Sequence, residues 1–145
     1  MKSHRIAFMP LIRPTFDVPF ANQMINSARD SLKKAGFDLL EPPTPISDLS
    51  SAEEAAQLLR DQTVDTLLIF QATFADATLV TNLAEATDAP IFLWAVPEPW
   101  TGSRLRLNSL CGINLAAHAL TLRDYKFEYG YGGPSDPEIL QKITR

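Results

Sequence analysis

Short unbroken apolar runs alternate along this chain with longer segments whose apolar residues recur every three or four positions. That alternation predicts repeated βα units around a parallel sheet. Ile6 to Met9 reads as the first strand, and P-L-I-R-P-T from Pro10 is a turn-rich loop. From Val18 to Ala35, Phe20, Met24, Ala28 and Leu32 fall at helical spacing, with Gly36 placed to close the helix. Phe37 to Leu40 is a short second strand, and E-P-P-T-P forces an extended loop because proline lacks the amide that helices and ladders need. Ser50 or Ser51 is expected to cap a second helix through Leu59, with Glu53 and Glu54 near its positive end. Val64 to Phe70 and Ile91 to Val96 are continuously apolar, as central strands covered on both faces must be. Helices follow over Ala75 to Thr87 and from about Leu105 to Leu122, and a last strand near Lys126 to Tyr129.

At the far end Asp136 and Pro137 form an N-cap and N1 pair, and Ile139, Leu140 and Ile143 start an apolar stripe. Only about two turns fit before Arg145. Two readings stay open: a short helix that is complete, or one cut within a longer protein.

Composition narrows the class. The 145 residues, 46% of them hydrophobic and 21% charged, suffice for one globular domain with a real core. A net charge of −4 and no basic cluster larger than Arg104-Leu-Arg106 predict no nucleic-acid partner. No apolar run is long enough to span a bilayer, so no membrane partner is expected and the expected compartment is cytoplasmic. One cysteine excludes an internal disulfide, and two histidines so far apart show no zinc-type ligand spacing. Cys111 and His118, seven residues apart on one helix, are separated by roughly 10 Å along its axis, which rules out a thiolate–imidazole pair. Cys111 reads as a small buried hydrophobe.

The most informative segment runs from Pro90 to His118, where an apolar strand leads through a loop into a helix carrying polar groups on a greasy face. Leu107, Cys111, Asn114 and His118 are four, three and four apart and share one stripe. An amide and an imidazole buried there without partners would cost on the order of 1–3 kcal/mol each. They are therefore either satisfied by backbone carbonyls in the core or turned toward water, a ligand or another subunit.

Ligands of open parallel sheets bind where loops leave the carboxyl ends of the strands, here after Met9, Phe70, Val96 and Tyr129. The first of these loops holds Arg13, Thr15, Phe16 and Asp17 and lacks both the Ser/Thr/Gly richness of a flavin phosphate loop and a Walker ending. Its Arg13 could grip an anion or simply be solvated. G-Y-G-G-P-S from Gly130 misses the dinucleotide fingerprint, with Ser at the third glycine position. Glu98 stands between two prolines as a lone carboxylate, too little for acid–base work, and Trp100 could pack on protein or stack on a sugar.

L-N-S-L-C-G-I-N-L-A-A-H, with L-L-I-F-Q-A-T-F at Leu67 to Phe74, is similar to the N-terminal domain of the L-fucose and L-arabinose isomerase superfamily. The resemblance covers most of the chain; its markers are T-F at Thr73 and Phe74 and N-x-x-A-H at Asn114 to His118. It implies an α/β, flavodoxin-like three-layer sandwich with a five-stranded parallel sheet. It also implies that residues 1–145 are the N-terminal domain of a sugar isomerase, with the catalytic C-terminal domains absent and the cut in the helix starting near 137.

In that superfamily an aldose and a ketose interconvert by movement of a proton or hydride between adjacent carbons, with a divalent metal polarising the sugar oxygens. The metal ligands belong to other domains, so the resemblance implies no catalytic residue, metal ligand or cofactor in this chain and Mn2+ in the full-length enzyme. It implies a homo-oligomer whose sugar substrate is shared with the neighbouring subunit. By the same resemblance the substrate-binding candidates are Arg13, Phe16, Phe74, Asn114 and His118. Ala72 replaces the histidine before T-F of arabinose isomerases, Leu115 replaces a glutamine, and Arg13 stands near another glutamine position. These departures, with N-S-L-C-G, lean toward the fucose-isomerase-like branch and leave room for a sugar with an anionic substituent. The rival reading is a stand-alone small-ligand-binding or assembly module without catalysis; a flavin redox protein is disfavoured by the first loop.

Overall fold

Every residue of β3 (Thr66–Gln71) and β4 (Ile91–Ala95) is buried, as their unbroken apolar runs require. The computed structural model describes residues 3–144; Met1, Lys2 and Arg145 lie outside the described residues. Around these strands lie β1 (Arg5–Leu11), β2 (Asp38–Leu40) and β5 (Phe127–Tyr131), all parallel, in the order β2-β1-β3-β4-β5. Five helices complete the chain: α1 (Val18–Lys34), α2 (Leu49–Asp61), α3 (Ala77–Glu85), α4 (Ser109–Leu122) and α5 (Pro137–Ile143). This is the flavodoxin-like order expected from the resemblance.

Alternation along each strand sorts the core into two layers. Ile6, Phe8, Leu68, Phe70, Phe92 and Trp94 face α1 and α5, where they meet Ala21, Ile25, Ala28, Leu32, Ile139 and Ile143. Phe8, Phe70 and Trp94 form a row across three strands, with ring centroids 5.6 and 5.1 Å apart. The fully buried Trp94 satisfies its indole N–H on the Gly132 carbonyl at 3.0 Å. Ala7, Met9, Leu11, Leu67, Ile69, Leu93 and Ala95 face α2, α3 and α4, whose contact residues include Ala52, Ala55, Ala84 and Ala116. Small residues there let the helices sit close.

Several boundaries differ from expectation for identifiable reasons. β1 runs through Pro10 to Leu11. Pro10 is tolerated because its side of the strand faces the space beyond the end of β2, where Ile46 N–H donates to its carbonyl at 2.8 Å. α2 begins at Leu49, earlier than expected: Asp48 is the cap, accepting from the Ser51 amide while the Ser51 hydroxyl accepts from the Asp48 amide. In α1 the buried stripe is Ala21, Ile25, Ala28 and Leu32, so Phe20 and Met24 only flank the core. Gly36, at φ +93°, ends α1 as expected, with Phe37 N–H reaching Leu32 O and Gly36 N–H reaching Lys33 O. α3 and α4 are shorter than expected, and Asp136 with Pro137 opens α5 as expected.

The chain turns one way from β1 to β2 and the other way from β3 onward, so the switch point where such sheets place a binding crevice falls at the carboxyl ends of β1 and β3. No helix among the described residues is long and apolar enough to cross a membrane.

Candidate functional site

Thr73 organises the crevice. Fully buried just after β3, its hydroxyl accepts the Arg13 amide at 2.8 Å and donates to the Phe74 carbonyl at 2.8 Å. The Ala72 and Thr73 amides both point at Leu11 O, and the Phe74 amide donates to Leu107 O at 2.8 Å. One hydroxyl and four amides thereby lock the loops after β1, β3 and β4 together. Loops that carry function need such anchoring, since they lack the ladder bonds that hold strands.

Three of the sequence-predicted residues meet on this anchor. The rings of Phe16 and Phe74 lie 6.4 Å apart, and the Arg13 guanidinium sits 5.8 Å from the Phe74 centroid. Arg104, from the loop after β4, sits 5.8 Å from the Phe16 centroid. Both arginines are exposed. Arg106 is engaged differently: its Nε donates to Asp17 at 2.7 Å while its guanidinium covers Phe20 at 4.1 Å. Asp17 also caps α1 by accepting the Phe20 amide at 3.1 Å. That amide bond, then the Arg106 partner, hold the Asp17 carboxyl below its ordinary range against a small desolvation penalty.

Glu98 has a structural task that the sequence concealed. Its carboxylate accepts the amides of Arg106, Leu107 and Asn108, the last at 2.8 Å, just ahead of α4. Asn108 stands at φ +53° with no side-chain cap of its own, so Glu98 supplies the negative charge that a helix N-terminus favours. Buried Ser109 then bridges two strands, donating to Gln71 O and accepting the Val96 amide at 3.0 Å. Trp100 is 83% exposed on this loop.

Asn114 and His118 lie elsewhere. Ile113, Ala116 and Leu120 turn α4 onto the sheet, which leaves Cys111, Asn114 and His118 on its exposed face. The shared stripe exists, but it points outward; Leu107 is the buried member and precedes the helix. Cys111 is exposed, a correction to its expected burial. Apolar residues occupy both sides of α4, so local pattern could not choose the inward one. Asn114 lines a groove of about 260 Å³ with Leu110, Ile113, Ala117, Phe127, Tyr129 and Tyr131. His118 stands nine residues past the start of α4, about 13 Å down its axis from the strand ends.

A second cleft, about 240 Å³, adjoins Arg13 between the capped starts of α2 and α3, and holds Asp48 and Asp76. A depression of about 550 Å³ lies at the amino ends of β4 and β5, away from the crevice. No group of three or more His, Cys, Asp or Glu able to hold a metal occurs among the described residues. His4 bonds Thr66 at the amino end of the sheet, and Glu98 is taken by backbone amides. These side chains, already engaged, do not make up a metal-ligand set.

The fold defines a flavodoxin-like α/β domain, with arginine and phenylalanine side chains meeting on the loops at its switch point. The family described as "Fucose/sulfoquinovose isomerase, N-terminal domain" matches residues 8–144, and the chain belongs to it. The sulfoquinovose isomerase of Clostridium sp. (strain MSTE9) is 32% identical over 146 residues, covering 99% of this chain and 32% of that protein. The sulfoquinovose isomerase of Priestia megaterium (strain ATCC 12872 / QMB1551) is 26% identical over 145 residues, covering all of this chain and 32% of that protein. The chain spans about a third of the length of the curated relatives it matches.

Proposed function

We propose that the chain is the substrate-closing and oligomerisation domain of a metal-dependent aldose–ketose isomerase whose sugar carries an anionic group. The observation that carries this reading is the meeting of Arg13, Phe16 and Phe74 at the crevice of a chain that belongs to this family. Sulfoquinovose, named by its relatives, is a glucose with a sulfonate at carbon 6.

In this reading the domain supplies no acid, base or metal ligand. The two rings offer faces to the C–H side of a sugar and keep water from it, while the arginine donates to an oxyanion. Proton or hydride movement belongs to carboxylates and a divalent metal, Mn2+ being the expected ion, in the remainder of the protein. The pocket is shared with a neighbouring subunit of a homo-oligomer. The exposed Leu110, Leu115, Leu122, Tyr129 and Tyr131 on α4 and the open β5 edge support such packing, because an all-round apolar helix wants covering. Asn114 and His118 enter only across that boundary. The enzyme is expected to work in the cytoplasm.

The test is conversion of aldoses to ketoses by the intact gene product with manganese. Turnover of the sulfonated hexose, abolished by a chelator and restored by Mn2+, is the expected result. Failure with every sugar in the panel retires the reading.

A further inference from the structure

Seven arginines lie among the described residues, and five are spoken for. Arg5, Arg29, Arg60, Arg106 and Arg123 pair with Asp38, Glu41, Glu53, Asp17 and Glu85 at 2.6–3.3 Å. Arg13 and Arg104 have no carboxylate partner among the described residues, and both stack on the Phe16–Phe74 pair.

Two cations without a carboxylate, each set on one ring of the same aromatic pair in a chain of net charge −4, need a reason. Stacking on a ring orients a guanidinium without using its N–H donors, whereas an ion pair consumes them. Arg106 makes the contrast, since it stacks on Phe20 but spends its Nε on Asp17. The nearby carboxylates are themselves engaged: Asp17 by Arg106 and the α1 cap, Glu98 by three amides, Asp48 and Asp76 as caps of α2 and α3. The backbones are held as well, Arg13 by Thr73 and the Arg104 loop by Glu98.

We infer that Arg13 and Arg104, backed by Phe74 and Phe16, form a clamp for a tetrahedral oxyanion, sulfonate or phosphate, at the end of the substrate. The two guanidiniums approach from separate loops and each donates to anion oxygens, while the rings bound the sugar carbon next to them. Arg104 thereby becomes a specificity residue alongside Arg13. The sugar in this inference rests on the isomerase reading; the anion rests on the arginines.

The test compares intact wild-type protein with Arg13→Gln, Arg104→Gln and Arg104→Lys on hexoses bearing a 6-sulfonate, a 6-phosphate or a 6-hydroxyl. Either Gln variant is expected to lower kcat/KM for the preferred anionic sugar about 10- to 100-fold and to shrink its advantage over the 6-hydroxyl sugar. Arg104→Lys should recover only part of it, because an ammonium lacks the planar fork. Preference for sulfonate or for phosphate in the wild type identifies the source of the anion. Equal losses on charged and neutral sugars, or no loss, overturn the clamp. If the wild type converts no sugar, the isomerase reading fails and calorimetric titration with the 6-sulfonated hexose decides the clamp alone. Binding that weakens at least tenfold in Arg104→Gln upholds it, and no binding by the wild type overturns it.

Discussion

The Ser109 hydroxyl bonds both Gln71 O at the end of β3 and the Val96 amide at the end of β4, joining the two central strands to the first turn of α4. Ser109→Ala removes both bonds and leaves a buried carbonyl and amide unmatched. A loss of about 1–3 kcal/mol is expected. A lower urea midpoint at unchanged slope is the measurement; an unaltered midpoint means water replaces the hydroxyl.

Gly112 lies against Gln71, and an added Cβ would stand 2.5 Å from its Cγ and 2.9 Å from its Nε2. Gln71 is buried and cannot swing away. Alanine gains up to about 1 kcal/mol of helix propensity, while overpacking costs about 1–3 kcal/mol. Gly112→Ala should therefore destabilise on thermal unfolding. Gly133→Ala, with nothing within 4 Å of its Cβ, is the control expected to leave Tm in place.

Glu98→Ala frees three amides ahead of α4. A stability loss of about 0.5–2 kcal/mol is expected, the range of lost helix caps. Amide hydrogen exchange should quicken over 104–108 first. Uniform quickening through the sheet instead would show that Glu98 supports the whole domain and not this loop.

Asp17 and Asp48 both titrate below the ordinary carboxylate range, through the Phe20 amide and Arg106 in one case and through Ser51 in the other. Their stabilising effect is complete above the unfolded value of about 4 and is lost as pH falls through the lower folded values. Tm should hold at neutral pH and decline below about pH 4. Asp17→Asn and Asp48→Asn should each flatten that decline, and an acid limb as steep as in the wild type would assign it to other groups.

His118→Ala removes an exposed ring and should shift stability by less than about 0.5 kcal/mol. If the residue faces a neighbouring subunit's substrate, turnover of the intact enzyme falls while Tm stays put. Turnover and Tm that both hold would remove His118 from the site.

Much of the fold is legible locally because each signal is a property of neighbouring residues. The apolar runs of β3 and β4 announce strands buried on both faces, Gly36 supplies the positive φ that ends α1, and Asp136 with Pro137 starts α5. Thr73 and Phe74 are legible through family resemblance, and they sit where the loops after β1 and β3 meet. Tertiary structure alone decided three things. It chose which side of the apolar α4 faces the sheet, turning Asn114 and His118 outward, because Ile113, Ala116 and Leu120 fill the space over the strands. It engaged Glu98 by folding a loop back on amides eight to ten residues along. And it gave Asp17 to Arg106 across 89 positions of sequence, which left Arg13 and Arg104 unpaired. Charge pairing depends on distance in space, and nothing in the linear order of these residues encodes it.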